Sequence, residues 1–280
     1  MLSFVSLDQF PFAQLIDVMQ RSFEGYFVPI KISEDAWRAR CIEYGVDLAR
    51  SLGVELNGQL VGATFFAYEG DQVYDASTGV VPEGRGHGST VKLFEYVRPQ
   101  WESDGIRSVQ LEVIAENSAA IKSYEKAGLK IVRTLDLYRV DSMNPKLEIP
   151  VGYQLSETPE PNWNLWSNWH EWSPTWQHRK RSWLNRPSGF YLWEVSYEGE
   201  SVAYLFASKE GRLCQLAVHP MHRRKGIATA LLANLARQVP SEINIPNIEN
   251  GQVAAAGFMN AIGAEMFIQQ YEMIQLLSPG

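Results

Sequence analysis

The chain has 280 residues, 45% of them aliphatic or aromatic, and a formal net charge of −7 from 25 Lys/Arg and 32 Asp/Glu. That is apolar material for one large core or two ordinary ones. No run of ~18 apolar residues marks a membrane span. The acidity lies in residues 1–150 (15 Lys/Arg, 21 Asp/Glu), with residues 151–280 near balance (10 and 11), which argues against nucleic acid as the main partner. The N-terminal MLSFVSLDQFPF lacks the basic region and apolar run of a secretory signal. Cys41 and Cys214, one in each half, suit buried thiols in a reducing cytosol, so a cytoplasmic location is expected. The five histidines form no metal-ligand spacing, and no metal is expected.

Taken in order, a helical pattern runs roughly from Phe12 to Phe23. A second starts at Ser33, suited as an N-cap with Glu34 and Asp35 in the first turn. Asn57-Gly58 between two apolar runs predicts a hairpin. QVYDASTGVV predicts a strand, VKLFEYV a helix that Pro99 should kink or end, and SVQLEVI a buried strand. AAIKSYEKAG predicts a helix stopped at Gly128, and KIVRTLDLYRV a closing strand. Asp141 to Pro150 breaks the pattern and predicts a linker. After it come a helical, tryptophan-heavy stretch and three strands with turns at Glu198-Gly199 and Glu210-Gly211. Then follow helix ALLANLARQV, short strand INIP, helix QVAAAGFMNAIG and last strand FIQQYEMIQLL. The same α+β order thus occurs twice, predicting one domain over residues 1–143 and another over 150–280.

Each half also carries one version of a short Arg/Gly turn between a strand and a helix. The first is VVPEGRGHGST, Val80 to Thr90, and the second VHPMHRRKGIAT, Val218 to Thr229. Pro82 and Pro220, Arg85 and Arg223, Gly88 and Gly226, and Thr90 and Ala228 fall at one constant offset. Glycines let backbone approach a ligand closely, and the first amides of a helix lack internal partners, so such a turn suits phosphate. It is not a P-loop, because no Gly-Lys-Ser/Thr follows, nor a dinucleotide fingerprint, because the glycine spacing and element order differ.

These residues resemble the GNAT superfamily of N-acyltransferases, including its bacterial acetyltransferases. V-x-P-x-x-R-G-x-G stands at Val80 to Gly88, and N-x-x-A-x-x-x-Y-x-x-x-G at Asn117, Ala120, Tyr124 and Gly128. The resemblance implies two tandem domains, each a mixed, mostly antiparallel sheet flanked by helices. It implies acetyl-CoA as donor and a small-molecule or peptide primary amine as acceptor, with direct transfer and no covalent enzyme intermediate. The amides of Arg85, Gly86, His87, Gly88, Ser89 and Thr90 would cradle the pyrophosphate. The strand before the turn would splay from its neighbour, leaving the backbone of Val80 and Val81 for the pantetheine arm. Asn117, Ala120 and Tyr124 share one helix face. Asn117 would N-cap that helix, which faces the thiol end of the cofactor. Tyr124 matches the family's general acid, protonating the departing thiolate, and a strand amide near Val80 would steady the oxyanion.

In the second half Val218, Arg223, Arg224, Lys225, Gly226, Ile227, Ala228 and Thr229 repeat the cofactor turn. Aligning Gly263 with Gly128 puts Gln252 at the Asn position and Met259 at the Tyr position, so the general acid is lost there. The first domain is therefore the expected active one. Trp163, Trp166, Trp169, Trp172 and Trp176 suit core packing, an acceptor pocket or a domain interface. His178-Arg179-Lys180-Arg181 reads as a solvated face. Glu24, Tyr26, Glu69 and Asp75 lie where acceptors enter, but no spacing singles out a base. The rival function is a degenerate pair that binds coenzyme A and regulates or scaffolds. Acceptor identity, acyl length, cofactor binding by the second domain and oligomeric state stay open.

Overall fold

The computed structural model describes residues 1–28, 33–144, 146–239 and 242–277. Two units close on their own apolar cores: Met1–Thr134 with Gln270–Gly280, and Leu135–Gln269. The first runs β1 (Leu2–Ser6), α1 (Phe12–Ser22), α2 (Glu34–Tyr44), β2 (Leu52–Leu56), β3 (Gln59–Glu69) and β4 (Gln72–Val80). It continues with α3 (Ser89–Ser103), β5 (Ser108–Ile114), α4 (Ser118–Lys126) and the start of β6 (Lys130–Val140). The second runs β7 (Tyr153–Glu157), α5 (Trp163–Trp166), α6 (Lys180–Asn185), β8 (Phe190–Tyr197), β9 (Glu200–Ser208) and β10 (Leu213–Val218). After these come α7 (Ile227–Gln238), β11 (Ile243–Glu249), α8 (Val253–Ala261) and β12 (Glu265–Leu276).

Local signals account for most of these elements. Asn57 and Gly58 take φ of 53° and 79°, the two left-handed residues that a two-residue hairpin turn needs between β2 and β3. Ser33 caps α2 by accepting from the Ala36 amide. Asn117 caps α4 by accepting from the Ala120 amide, and Gly128 ends that turn at φ 101°. The strand expected at INIP extends to Glu249. Pro99 neither ends nor interrupts α3, which continues to Ser103. Burial holds the turn beyond it. Trp101 is 1% exposed, packs edge-on against Phe66 and Phe94, and donates its indole N–H to the Tyr68 hydroxyl.

In the first unit β1-β2-β3-β4 is an antiparallel run, and β4 joins β5 in parallel. The strand beyond β5 is not local. Gln270 to Leu276 of β12 pairs antiparallel with β5, from Gln270↔Ile114 to Leu276↔Ser108. Met273 and Leu277 enter the first core beside Phe66, Leu93 and Trp101. Glu272, 5% exposed, receives both Nε and Nη2 of Arg133 at 2.7 and 2.9 Å. Conversely, Leu135 to Val140 of β6 belongs to the second unit and pairs with β11. The division at residues 143–150 expected from the sequence thus differs from the compact units, because β6 and β12 each run through the boundary between them.

In the second unit β10-β9-β8-β7 is an antiparallel sheet. The tryptophan stretch is not one helix but short turns. Trp166, Trp169 and Trp176 are buried, with Trp166 stacked on Tyr204 at 4.3 Å. The run from His178 to Arg181 is not a fully solvated face: His178 is 2% exposed, Arg179 and Arg181 are half-buried, and Lys180 is exposed. β1 and β7, strands of five residues each, have no counterpart among the expected elements. No described helix is long and apolar enough to cross a membrane.

Candidate active site

β4 is registered against β3 as far as Val80 but against β5 only at Gln72, Val73 and Tyr74. Among the described residues, Asp75 is the first on β4 without a partner strand on the β5 side. At that point β4 bulges: Phe65 faces Ser77 and Phe66 faces Asp75, leaving Ala76 extra. A bulge bends its strand and re-aims side chains, so β4 and β5 part into a V with Asp75 at the vertex. Val81 donates its amide to the Val61 carbonyl at 2.9 Å and is fully buried. It therefore does not present the amide expected of it. Because amides alternate edges along an antiparallel strand, Val80 is the one that turns its N–H to the open side.

At the open end of the V, the Arg85 side chain fastens the turn. Its Nε donates to the Val80 carbonyl at 3.0 Å and Nη2 to the Ser22 carbonyl at 3.0 Å. The Arg85 amide is taken by Pro82 O, so the cradle begins at Gly86 rather than Arg85. Gly86 and Gly88 have φ of 82° and 67°; a Cβ on Gly86 would meet nothing within 4 Å, and one on Gly88 only Lys92 Cε at 4.0 Å. Both would stand in open space where a phosphate has room. Gly88 is the N-cap of α3. Ser89 and Thr90 open that helix, and Ser89 Oγ is buried without a partner. His87 leans back on Gly84 O through Nδ1 at 3.3 Å. Open left-handed glycines, helix-start amides and an orphan hydroxyl fit a pyrophosphate.

The vertex is polar. Tyr124, buried on α4, donates its hydroxyl to Asp75 Oδ2 at 3.1 Å. Thr78 Oγ1 reaches the same oxygen at 2.7 Å and Thr64 Oγ1 at 2.9 Å. Asp75 Oδ1 is buried without a partner. Burial pushes the Asp75 carboxyl from 3.8 up to about 7, against the opposing effect of Thr78, Tyr124 and the Ser77 backbone. Burial, then the nearby Asp75 charge, raises the Tyr124 phenol well above its ordinary value. Asn117, besides capping α4, donates Nδ2 to the Tyr26 hydroxyl at 3.4 Å, on the same side of the cleft as Tyr124. Of the four carboxyl and hydroxyl candidates for a base, the fold brings Asp75 against Tyr124. The one sequence signal was a charged residue inside an otherwise uncharged, strand-forming run.

The second unit repeats the frame. Arg223 donates Nε to Val218 O at 3.1 Å and Nη2 to Trp169 O at 3.0 Å, matching Arg85, and also holds Glu171 at 2.6 Å. His219 donates its amide to Val202 O as Val81 does to Val61. The bulge recurs at Cys214, between Leu213↔Ala207 and Gln215↔Phe206. Among the described residues, the backbone pairing between this strand and β11 is a single parallel bridge, Arg212↔Asn244, just before β10. Between the parted strands lies a cavity of about 430 Å³, walled by Trp169, Trp172, Leu213, Leu216, Ile245 and Met259. Ile227, Ala228 and Thr229 begin α7 with Gly226 as its N-cap. Arg224 takes φ 63° where the first unit has Gly86, a conformation costing a non-glycine residue about 1 kcal/mol. Arg224 and Lys225 are exposed beside the cavity mouth. Among the described residues no group of three or more His, Cys, Asp and Glu could hold a metal ion.

A family model for the acetyltransferase (GNAT) family matches residues 13–129 and 153–263. Among solved structures, a tandem GNAT protein from the clavulanic acid biosynthesis pathway is similar over 100% of both chains, with TM-score 0.74 and 16% identity. A GCN5-related N-acetyltransferase from Sphaerobacter thermophilus is similar over 100% of this chain and 96% of its own, with TM-score 0.73 and 16% identity. One from Anabaena variabilis covers 98% and 72%, with TM-score 0.59 and 13% identity. At these identities the structures speak for the fold. The family model spans most of both units, and the chain belongs to the GNAT acetyltransferase family as a tandem of two such folds.

Proposed function

We propose that the chain is an N-acetyltransferase that moves an acetyl group from acetyl-CoA directly to a primary amine, of a small molecule or a peptide, in the cytoplasm. The observation that carries this is the V of the first unit, with a phosphate-suited turn at its mouth and Tyr124 against Asp75 at its vertex. Gly86, Gly88 and the first amides of α3 hold the pyrophosphate, and the open edge of β4 near Val80 pairs with the pantetheine arm. The acetyl thioester supplies the electrophilic carbonyl. Tyr124 carries the proton for the departing sulfur.

The second unit binds the same class of cofactor through Gly226 and the start of α7, without transferring it, because Met259 cannot donate a proton. Its cavity favours a second reading, in which the tandem binds coenzyme A and regulates another process. Titrating the protein with acetyl-CoA and reading thermal stability comes first. At ~100 times its dissociation constant a ligand adds about 2.7 kcal/mol. A screen of amines, aminoglycosides and peptides, followed by free thiol release, then separates the two functions. Stabilisation with no thiol release for any amine selects the regulatory one.

A further inference from the structure

The two units differ at the vertex in a coordinated way. Strand pairing sets Thr64 opposite Thr78 in the first unit and Leu205 opposite Leu216 in the second. It sets Asp75 opposite Phe66, and Leu213 opposite Ala207, each just before the bulge. The helix ends superpose in hydrogen bonding. Leu129 donates its amide to Tyr124 O as Ala264 does to Met259 O, and each is the buried residue of its helix. So the set joined by hydroxyl hydrogen bonds, Tyr124, Asp75, Thr78 and Thr64, stands where the second unit has Met259, Leu213, Leu216 and Leu205. The turn, its arginine and the bulge are kept; these four polar groups are absent together. Groups that differ as a set where one unit has lost its proton donor belong to that donor's chemistry.

From this geometry we infer that Asp75 is the base of the transfer and passes protons with Tyr124 as one unit, which rests on the N-acetyltransferase function proposed above. The amine nitrogen forms its bond to the thioester carbonyl carbon, and Asp75 takes the nitrogen's proton on Oδ1, the oxygen without a partner. As the C–S bond breaks with its electron pair on sulfur, Tyr124 gives that sulfur its hydroxyl proton. A half-turn of the Asp75 carboxyl then carries the amine's proton to the phenolate 3.1 Å away. One proton has moved from nitrogen to sulfur, and both side chains are restored. The pairing also answers a difficulty. A dry phenol with a raised pKa is a poor acid alone, because it leaves a buried negative charge. Protonated Asp75 neutralises that charge.

Asp75 is faced by Thr78 and the Ser77 backbone on its own strand and by Tyr124 of α4, with Thr64 of β3 bonded to Thr78 behind them. Tyr74 lies beside it, bonded to Glu112 of β5, and Tyr26 acts on Tyr124 from the loop after α1. Burial against hydroxyls and an amide thus sets its titration.

The experiment is a single-turnover thiol-release series on the full chain with acetyl-CoA and the best amine of the screen, from pH 5.5 to 9. Asp75→Asn and Tyr124→Phe should each slow the step ~10²-fold or more, and the double variant should lose no more than the worse single. The wild-type rate should rise with pH through about 7, and that limb should vanish in Asp75→Asn. Thr78→Val removes a bond that favours the carboxylate. It should move the limb to higher pH, which identifies Asp75 without deleting it. Independently of turnover, the ¹³C-labelled Asp75 carboxyl should titrate near 7 and higher in Tyr124→Phe. Multiplicative losses in the double variant, a limb that survives Asp75→Asn, or an Asp75 carboxyl that ignores Tyr124→Phe would overturn the assignment. If wild type turns over and Asp75→Asn keeps its rate, the base falls alone. If wild type neither is stabilised by acetyl-CoA nor releases thiol, the function itself falls, and the base with it.

Discussion

Asp75→Asn should change the pH dependence of stability in a direction set by burial. Asp75 is 5% exposed, and its carboxyl lies at about 7 in the fold against 3.8 for an ordinary side chain. The folded protein therefore holds this proton more tightly than the unfolded chain does. The stability that protonation contributes is complete below pH 3.8 and lost as pH rises through about 7. A separation of about three pH units corresponds to ~4 kcal/mol, at 1.36 kcal/mol per unit. Asparagine has the same shape and no charge to bury. Near pH 4 the two proteins should differ by only ~1–3 kcal/mol, as the Thr78 and Tyr124 hydroxyls adjust to an amide. By pH 8 the variant should have gained ~4 kcal/mol relative to wild type, on the order of 10 °C in the melting of the first unit. His178 in the second unit slopes the other way. Burial lowers it from 6.5 to about 3, so its contribution is present above pH 6.5 and lost as pH falls towards 3. It is common to both proteins and cancels in the difference. Thermal melts of the pair at half-unit steps from pH 4 to 9 make the test. Curves that stay parallel across that range would show that Asp75 is not a buried, high-pKa carboxyl.

Gly88→Val, at φ 67°, puts a branched side chain where the phosphate has room, and should abolish transfer. Gly226→Val should spare transfer but lower acetyl-CoA stoichiometry from two to one in calorimetric titration; the reverse pattern would move catalysis to the second unit. Arg85→Ala removes two hydrogen bonds to backbone carbonyls and should cost about 2 kcal/mol in a urea melt. The salt dependence of acetyl-CoA affinity should stay unchanged, since the guanidinium is engaged with the protein rather than the phosphate. Ending the chain after Gln269 removes buried Met273 and Leu277 from the first core and Glu272 from Arg133. At 2–5 kcal/mol for each large apolar side chain lost, the first unit's melting transition should fall by more than 10 °C or disappear, as read by circular dichroism.

Periodicity, caps and turn residues alone determined that there are two α+β units and where most elements begin and end. The Asn57-Gly58 hairpin, the Ser33 and Asn117 caps and the Gly128 stop are local, and local chemistry is written in consecutive residues. So was the turn, because its glycines and helix start lie within one short segment. What only the tertiary structure decided depends on partners far apart in sequence. Pro99 stays inside α3 because Trp101 beyond it is locked into the core. β12 is a clear strand by its residues, but nothing in them names β5 as its neighbour, since an extended strand offers the same backbone ladder to any edge. The Arg85 side chain has no partner that the motif names and is a brace in the fold, bonded to the Val80 and Ser22 carbonyls. Asp75 was one of four candidates until the bulge at Ala76 and the parting of β4 from β5 set it against Tyr124. Its raised pKa could not be read from sequence at all, because desolvation is a property of everything packed around a group and not of its neighbours in the chain.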